Sequence, residues 1–188
     1  FDKLKIGKSK KSLDNRLEKL KHHLSITFQR FLDHTIETKL NLDIFINGEK
    51  LMPFDPFLTS NQNTDLIIDK SLQVSETINK KVFFKGYSLP RFNSFPTRDD
   101  LDYSRVKKTE YQGYYMYRQD RLVVFGTWLE RHTVDPHFNL CRIGLFFNKD
   151  LDDILEADVR KSKFIFKDEE LFQNILEHTL PVRKAADK

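Results

Sequence analysis

The sequence predicts an α+β fold, with a mixed or antiparallel sheet and helices on one of its faces. Apolar residues recur at helical spacing near both ends of the chain, and several short segments between them alternate apolar with polar residues. Turn-forming residues such as Asn47-Gly48 separate these segments. Runs of strands flanked by helices favour such a sandwich over a doubly wound α/β fold.

Composition limits the class of protein. The 188 residues are 39% hydrophobic and 32% charged, as in a folded domain with a hydrated surface. With 17 Phe and 6 Tyr, an aromatic core is expected. No apolar run approaches the roughly 18 residues of a membrane span, and the single cysteine, Cys141, cannot form an internal disulfide. We therefore expect a cytoplasmic protein with no membrane partner.

The first part of the chain predicts a linker followed by a long helix. Residues 1–11 are expected to be a basic linker and residues 12–188 a single domain. Because the chain begins at Phe1 rather than Met, we expect a piece of a longer protein. Ser12 has the residue type of an N-cap, and the helix is expected to reach about Thr35. Its apolar stripe consists of Leu13, Leu17, Leu20, Leu24, Phe28 and Phe31.

Alternation and turn signals predict six strands. The first is expected to turn back at Asn47-Gly48, and the fourth and fifth to form a hairpin at about Gln119-Asp120. Leu140–Phe147 is the last clear strand. The six segments are Leu40–Ile46, Asp65–Val74, Lys80–Ser88, Tyr111–Tyr117, Leu122–Trp128 and Leu140–Phe147.

The remaining segments are predicted to be connections and a final helix. Pro53–Thr64 reads as irregular, and Pro90–Lys108 as a loop with a short helix. Asp150–Leu155 favours a short helical turn. Asp168–Leu180 predicts a C-terminal helix with Leu171, Phe172, Ile175 and Leu176 facing inward.

Common catalytic and metal motifs are absent from the sequence. Neither GxxxxGK[ST] nor GxGxxG occurs, so the chain has no recognisable phosphate-binding loop of its own. His132, Asp135, His137 and Cys141 offer zinc donors within ten residues, but without a zinc-site spacing, and ordinary loop histidines are the favoured interpretation. Cys141 lies in an apolar strand and is expected to be a small buried hydrophobe.

Two features suggest contact with phosphates or bases. Eight basic residues cluster near the front end, where they form either a solvated linker and helix face, which is favoured, or a surface for phosphates or acidic lipid. The aromatic hairpin Tyr111–Trp128 either fills the core, which is favoured, or stacks on bases. A non-catalytic nucleic-acid-binding or oligomerisation module is therefore an alternative function. The basic residues are Lys3, Lys5, Lys8, Lys10, Lys11, Arg16, Lys19 and Lys21.

A third segment combines acidic and apolar residues with a basic end. The stretch DLDDILEADVRKS, residues 150–162, follows the strand CRIGLFF and the hairpin YQGYYMYRQDRLVVFGTW. Taken in chain order, the hairpin, the strand and this stretch resemble the transducer domain of bacterial GHKL-type ATPases, with Microrchidia proteins among the closer relatives. That superfamily includes gyrase B, heat-shock chaperones, MutL and histidine kinases. The resemblance covers about residues 20–180.

The resemblance implies a fold like the second domain of the fifth small-subunit ribosomal protein, with a left-handed βαβ crossover. It implies that ATP and Mg²⁺ are held by an ATP-binding domain upstream in the same chain, so this chain alone should hydrolyse no ATP. Lys161 matches the lysine that reaches the γ-phosphate, flanked by Arg160 and Ser162. The resemblance implies two further partners: a second copy of the chain, in a homodimer, and DNA.

Two departures from the family pattern bear on this assignment. Arg160 stands where the pattern has lysine, so the sequence leaves open whether Arg160 or Lys161 contacts phosphate. Leu155 and Glu156 replace a step led by an aromatic residue, which we expect to loosen the approach of the loop.

Overall fold

The computed structural model describes residues 10–75, 80–95, 106, 108–158 and 163–187. The chain divides into two compact units, Phe1–Phe54 and Asp55–Lys188. The single domain predicted over residues 12–188 stays a prediction, because two compact units can belong to one domain. Within the described residues, no helix is both long and apolar enough to cross a bilayer.

The first unit contains two helices and a short hairpin. Helix α1 spans Lys10–Thr27, and α2 spans Gln29–Leu32. Strands β1 (Phe45–Ile46) and β2 (Glu49–Lys50) pair in antiparallel register. The turn between them has positive φ at Asn47 (53°) and Gly48 (81°), the geometry that an Asn-Gly hairpin turn requires. The hairpin predicted at Asn47-Gly48 is therefore confirmed.

Element boundaries in the first unit differ from the prediction. The helix begins at Lys10, two residues before the predicted N-cap Ser12, and helical structure ends at Leu32 instead of Thr35. Asp33 explains the early end, since its carboxylate accepts hydrogen bonds from the backbone N–H of Thr35 at 3.0 Å and from its hydroxyl at 2.6 Å. This local turn competes with a further helical turn. The observed strand, Phe45–Ile46, is shorter than the predicted strand Leu40–Ile46.

The second unit is built on a five-stranded mixed sheet of order β3-β4-β7-β5-β6. Adjacent strands are antiparallel except β5 and β7, which are parallel. The chain is thus α+β, as predicted. The strands are β3 (Asp65–Ser75), β4 (Lys80–Ser88), β5 (Gly113–Arg118), β6 (Arg121–Thr127) and β7 (Cys141–Phe147).

The predicted strands of this sheet are confirmed to within about two residues. The turn at Gln119-Asp120 has positive φ at both residues, 48° and 66°, so the predicted hairpin is also confirmed. Within the described residues, the chain between the parallel strands β5 and β7 passes through β6. The left-handed βαβ crossover stays a prediction.

The end of the second unit holds a hairpin that the sequence analysis missed. Strands β8 (Leu155–Asp158) and β9 (Lys163–Phe166) pair in antiparallel register and form a separate sheet. The predicted helical turn near Asp150 is a 3-10 turn at Lys149–Leu151. Because Glu, Asp and Lys are depleted in strands, the composition of residues 155–163 gave only a weak strand signal.

Helix α3 (Glu169–Ala186) covers one face of the sheet. Its N-cap Asp168 accepts a hydrogen bond from the backbone N–H of Leu171 at 2.9 Å. The helix continues through Pro181 and ends six residues beyond the predicted Leu180. Burial explains the continuation, since Val182 and Ala186 are 0% and 1% exposed in the core of this unit.

The contact between α3 and the sheet depends on a glycine. A Cβ at Gly86 would lie 2.2 Å from Val182 Cγ2 and 2.9 Å from Ile68 Cγ1. On the opposite face, Phe57 contacts Tyr87 and Tyr115, with ring centroids 5.0 and 5.3 Å apart. The segment predicted as an irregular connection therefore supplies a core aromatic residue.

We expect Gly86→Ala to lower the free energy of unfolding by about 1–3 kcal/mol, because the new methyl group overpacks the contact between α3 and β4. Chemical denaturation followed by circular dichroism measures the loss. Val182→Ala in the same chain opens the space, so the double variant should be less destabilised than the sum of the single variants. Strict additivity would contradict the proposed contact.

Candidate functional site

The predicted phosphate-contacting residues Arg160, Lys161 and Ser162 lie outside the described residues. The strands on either side of them are described. In the backbone register of the two strands, Asp158 at the end of β8 lies opposite Lys163 at the start of β9. Both ends of the segment 159–162 are therefore held next to each other, as in a hairpin with four connecting residues.

The base of this hairpin is anchored in the second unit. Leu151 is 0% exposed and belongs to the hydrophobic core. Its carbonyl accepts a hydrogen bond from the N–H of Ile154 at 3.0 Å, and the carbonyl of Ile154 accepts one from the N–H of Lys167 at 2.9 Å. At the end of β9, Phe166 stacks on Phe172 of α3 with ring centroids 4.4 Å apart. The hydrophobic core of the second unit and helix α3 therefore both contact the base of the hairpin.

A bidentate ion pair joins the hairpin base to strand β5. Arg118 donates from Nε to Asp152 Oδ1 at 2.7 Å and from Nη2 to the second carboxylate oxygen. The hydrogen bond from Arg118 lowers the pKa of Asp152, and the same bond raises the pKa of Arg118. This ion pair joins two segments that are far apart in the sequence, YQGYYMYRQD and DLDDIL. Sequence spacing gave no signal for the pairing, because 34 positions separate the two residues.

A buried hydrogen-bond network fixes the start of β5. Gln112 is 0% exposed, and its amide donates to Asn139 Oδ1 at 2.9 Å. Its amide oxygen accepts from Trp128 Nε1 at 2.7 Å and from the N–H of Asp135 at 3.1 Å. Each polar atom of the Gln112 side chain is therefore paired, as a core glutamine must be. The YQG and GTW segments meet here.

The glycines of these segments have backbone conformations that side chains resist. Gly113 has φ of 95°, and a Cβ there would lie 2.5 Å from the carbonyl oxygen of Thr127. Gly126 has φ of 63°, and its Cβ would lie 2.0 Å from the carbonyl oxygen of Glu110. The two glycines allow the close approach of β6 to the start of β5.

Most aromatic side chains of the hairpin Tyr111–Trp128 fill the core, whereas Phe125 is 39% exposed. Tyr115, Met116 and Tyr117 are each 0% exposed, and Tyr114 is 2% exposed. Tyr115 donates a hydrogen bond to the carbonyl of Tyr111 at 2.6 Å. These tyrosines have no surface on which a base could stack, and the favoured core interpretation is confirmed.

Arg142 is a buried cation in the CRIG segment. It is 1% exposed and donates from Nη1 to the carbonyls of Asn139 at 2.7 Å and Cys141 at 3.0 Å. Burial lowers the pKa of Arg142, while the nearby Tyr115 raises it. A guanidinium this deeply buried cannot reach an external phosphate. We therefore infer that Arg142 stabilises the turn before β7.

The residues considered as zinc donors are separated in the structure. Among the described residues, no three His, Cys, Asp or Glu side chains lie close enough together to hold a metal ion. Cys141 is 0% exposed, as predicted, and burial raises its pKa to about 12, so the thiol stays protonated at neutral pH. His132 lies 3.1 Å from Arg183 Nη1 instead.

His132 and Arg183 border a cavity of about 200 Å³ beside α3. The guanidinium of Arg183 lies 4.2 Å from the ring centre of Phe138 and 5.9 Å from that of Trp128. Burial, and then the charge of Arg183, lower the pKa of His132. The cavity is therefore lined by groups of both charges, Arg183 and Glu177, beside the rings of Tyr114 and Trp128.

The basic residues of the front end are only partly described. Arg16 and Lys19 are exposed on α1. Lys21 pairs with Glu49 at 2.8 Å and with Glu18 at 3.3 Å. The side chains of the first eleven residues, including five of the predicted cluster, lie outside the description.

Comparison with known proteins identifies no family for this chain: no protein-family model matches the sequence, and no curated protein is significantly similar to it.

We expect Gln112→Leu to lower the free energy of unfolding by about 2–4 kcal/mol, because it removes the three hydrogen bonds that the buried Gln112 side chain makes to Asn139, Trp128 and Asp135. The fluorescence of Trp128, the single tryptophan, reports both the unfolding and the lost bond to its indole N–H. Gln173→Leu, at an exposed position of α3, is the matched control and should change stability by less than about 0.5 kcal/mol. Equal losses in both variants would contradict the network.

The ion pair of Arg118 and Asp152 predicts how the free energy of unfolding depends on pH. A lowered pKa in the folded state means that Asp152 stabilises the fold above its unfolded pKa of about 3.9, and that this stabilisation is lost as pH falls through the folded value. We expect Asp152→Asn to cost about 0.5–1 kcal/mol at pH 7, the range for an exposed bidentate pair, and less in high salt. Denaturation of both proteins from pH 7 to pH 2 measures the difference.

Hydrogen exchange of the amides in β8 and β9 provides the local readout. Exchange should accelerate in Asp152→Asn and in Arg118→Gln. Asp153→Asn is the matched control, because Asp153 is an exposed neighbour. Exchange that is equally fast in the control would show that the ion pair does not anchor the hairpin.

Proposed function

We propose that this chain is the transducer portion of a GHKL-type ATPase, in which residues 159–162 present a cation to the terminal phosphate of ATP. The pairing of Asp158 with Lys163 carries the proposal, since it holds both ends of that segment together. Lys161 is the favoured phosphate ligand, with Arg160 as the alternative and Ser162 beside them. ATP and Mg²⁺ would be held by a domain upstream in the same chain.

The chemistry requires a fixed cation on a supported element. Phosphoryl transfer proceeds mainly through positioning and electrostatic stabilisation of charge on the phosphate oxygens. A lysine at the end of a hairpin whose base is anchored by Leu151 and the Arg118–Asp152 pair loses little entropy on reaching such a phosphate. The anchor thus supports the proposed role of the segment.

The finer fold assignment belongs to this proposal. The five-stranded mixed sheet with α3 on one face is compatible with a fold like the second domain of the fifth small-subunit ribosomal protein. The left-handed βαβ crossover is part of the same proposal, and it departs from the usual right-handed rule.

The hairpin base also offers a route for signal relay. Phe166 contacts α3 through Phe172, and Asp152 contacts β5 through Arg118. A phosphate that orders the segment would therefore bias elements on both sides of the hairpin, and loss of the phosphate would release them. Domain or dimer rearrangement, on DNA in some relatives of this superfamily, would be the output.

The test compares ATP turnover in a longer protein that includes the upstream segment. We expect Lys161→Ala to lower kcat at least tenfold, as loss of a cation at the transferred phosphate does. Arg160→Ala should have the smaller effect, and Lys149→Ala, an exposed lysine outside the hairpin, should have none. A larger effect of Arg160→Ala would move the assignment to that residue. Unchanged turnover in both variants would remove the proposed role.

A further inference from the structure

Helix α1 carries apolar residues on two opposite faces. One face packs within the first unit: Ser25 and Ile26 are buried, and His22 meets Phe54 edge-on with ring centroids 5.0 Å apart. Since successive helical residues are about 100° apart, a second apolar stripe lies roughly 160° around the helix from this face. It consists of Leu13, Leu17, Leu20 and Leu24.

This leucine stripe faces outward. Leu13 and Leu20 are 50% and 47% exposed, and Leu17 and Leu24 are partly exposed. Scattered exposed leucines need no explanation, but four of them on one helix face form a continuous apolar strip. The steps of four, three and four residues are those of a coiled-coil seam, with Leu17 and Leu24 at one core position and Leu13 and Leu20 at the other.

The charges beside the stripe distinguish between possible partners. Asp14 and Lys21 border one side, and Arg16 and His23 border the other. Two copies of α1 in parallel would bring Arg16 against the partner's Lys21, which is repulsive. Two antiparallel copies would bring Asp14 against the partner's Lys21 at two symmetric places, which is attractive. On the other side, Arg16 meets the partner's His23, which adds no attraction. The charges beside the stripe therefore favour an antiparallel copy over a parallel one.

We propose that the leucine stripe of α1 is a homodimer interface, formed with α1 of a second copy in antiparallel orientation. Leu17 packs against the partner's Leu20, and Leu13 packs against the partner's Leu24. Lys21 keeps its bond to Glu49, because an ammonium group has three donors. This inference is independent of the proposed ATPase role, since none of its residues belongs to the hairpin of β8 and β9.

The interface is small, so the association should be weak. A stable dimer buries about 800 Å² per partner, and four leucines on one helix provide only part of that area. We expect an equilibrium between monomer and dimer that depends on concentration.

Sedimentation equilibrium of the 188-residue chain from micromolar to millimolar concentration tests the association. The average mass should rise from that of one chain toward that of two. Leu13→Glu combined with Leu20→Glu should keep the chain monomeric throughout, and both positions are exposed enough to leave the fold intact by circular dichroism. Leu180→Glu, at a 44% exposed position of α3, should dimerise like the unmodified chain. A chain that stays monomeric, or a dimer that survives the double substitution, would overturn the proposal.

Cross-linking tests the orientation. A mixture of Leu17→Cys and Leu20→Cys chains should form a disulfide-linked heterodimer at least tenfold faster than either variant alone forms a homodimer. Cys141 does not interfere, because it is buried. Asp14→Lys should weaken the dimer, because it places like charges at both symmetric contacts with the partner's Lys21. Faster cross-linking between two Leu17→Cys chains, or a dimer unaffected by Asp14→Lys, would exclude the antiparallel arrangement.

Discussion

The close packing of side chains over Gly86 and Gly144 is the constraint on which the second unit depends. At Gly86 the missing side chain lets Val182 of α3 approach strand β4 on one face of the sheet. At Gly144 of β7, a Cβ would lie 2.8 Å from the Phe146 ring and 3.0 Å from the Phe57 ring. At these two positions the paired strands β4 and β7 are therefore closely packed, against α3 on one face and against Phe57 on the other, and such contacts tolerate added volume poorly.

Two buried polar side chains inside this core, Gln112 and Tyr114, are paired through hydrogen bonds. Gln112 pairs with three partners from the segment between β6 and β7, and Tyr114 shares a 2.7 Å hydrogen bond with Thr179 of α3. Burial raises the pKa of Tyr114, so its hydroxyl stays neutral and keeps this bond. Because an unpaired buried polar group is costly, the network allows one arrangement of β5, β6 and α3 and penalises others.

The candidate site combines this rigid core with an element on its border. The hairpin of β8 and β9 is a separate two-stranded sheet, and its described attachments are Leu151, the Arg118–Asp152 pair and the stack of Phe166 on Phe172. Two-stranded hairpins are marginally stable alone, so their position depends on such attachments. An element of this kind suits a role in which binding at one end changes contacts at the other.

Local sequence determined the parts of this protein that depend on neighbouring residues. Asn47-Gly48 specified its hairpin turn because both residues tolerate positive φ, and alternation placed the strands of the main sheet, including those on either side of Gln119-Asp120. Tertiary structure decided the rest: that β8 and β9 pair, that Arg118 meets Asp152, and that helix α3 continues past Pro181. These outcomes depend on burial and on contacts between residues far apart in the chain, and no local pattern of residue types encodes which distant partner a side chain will meet.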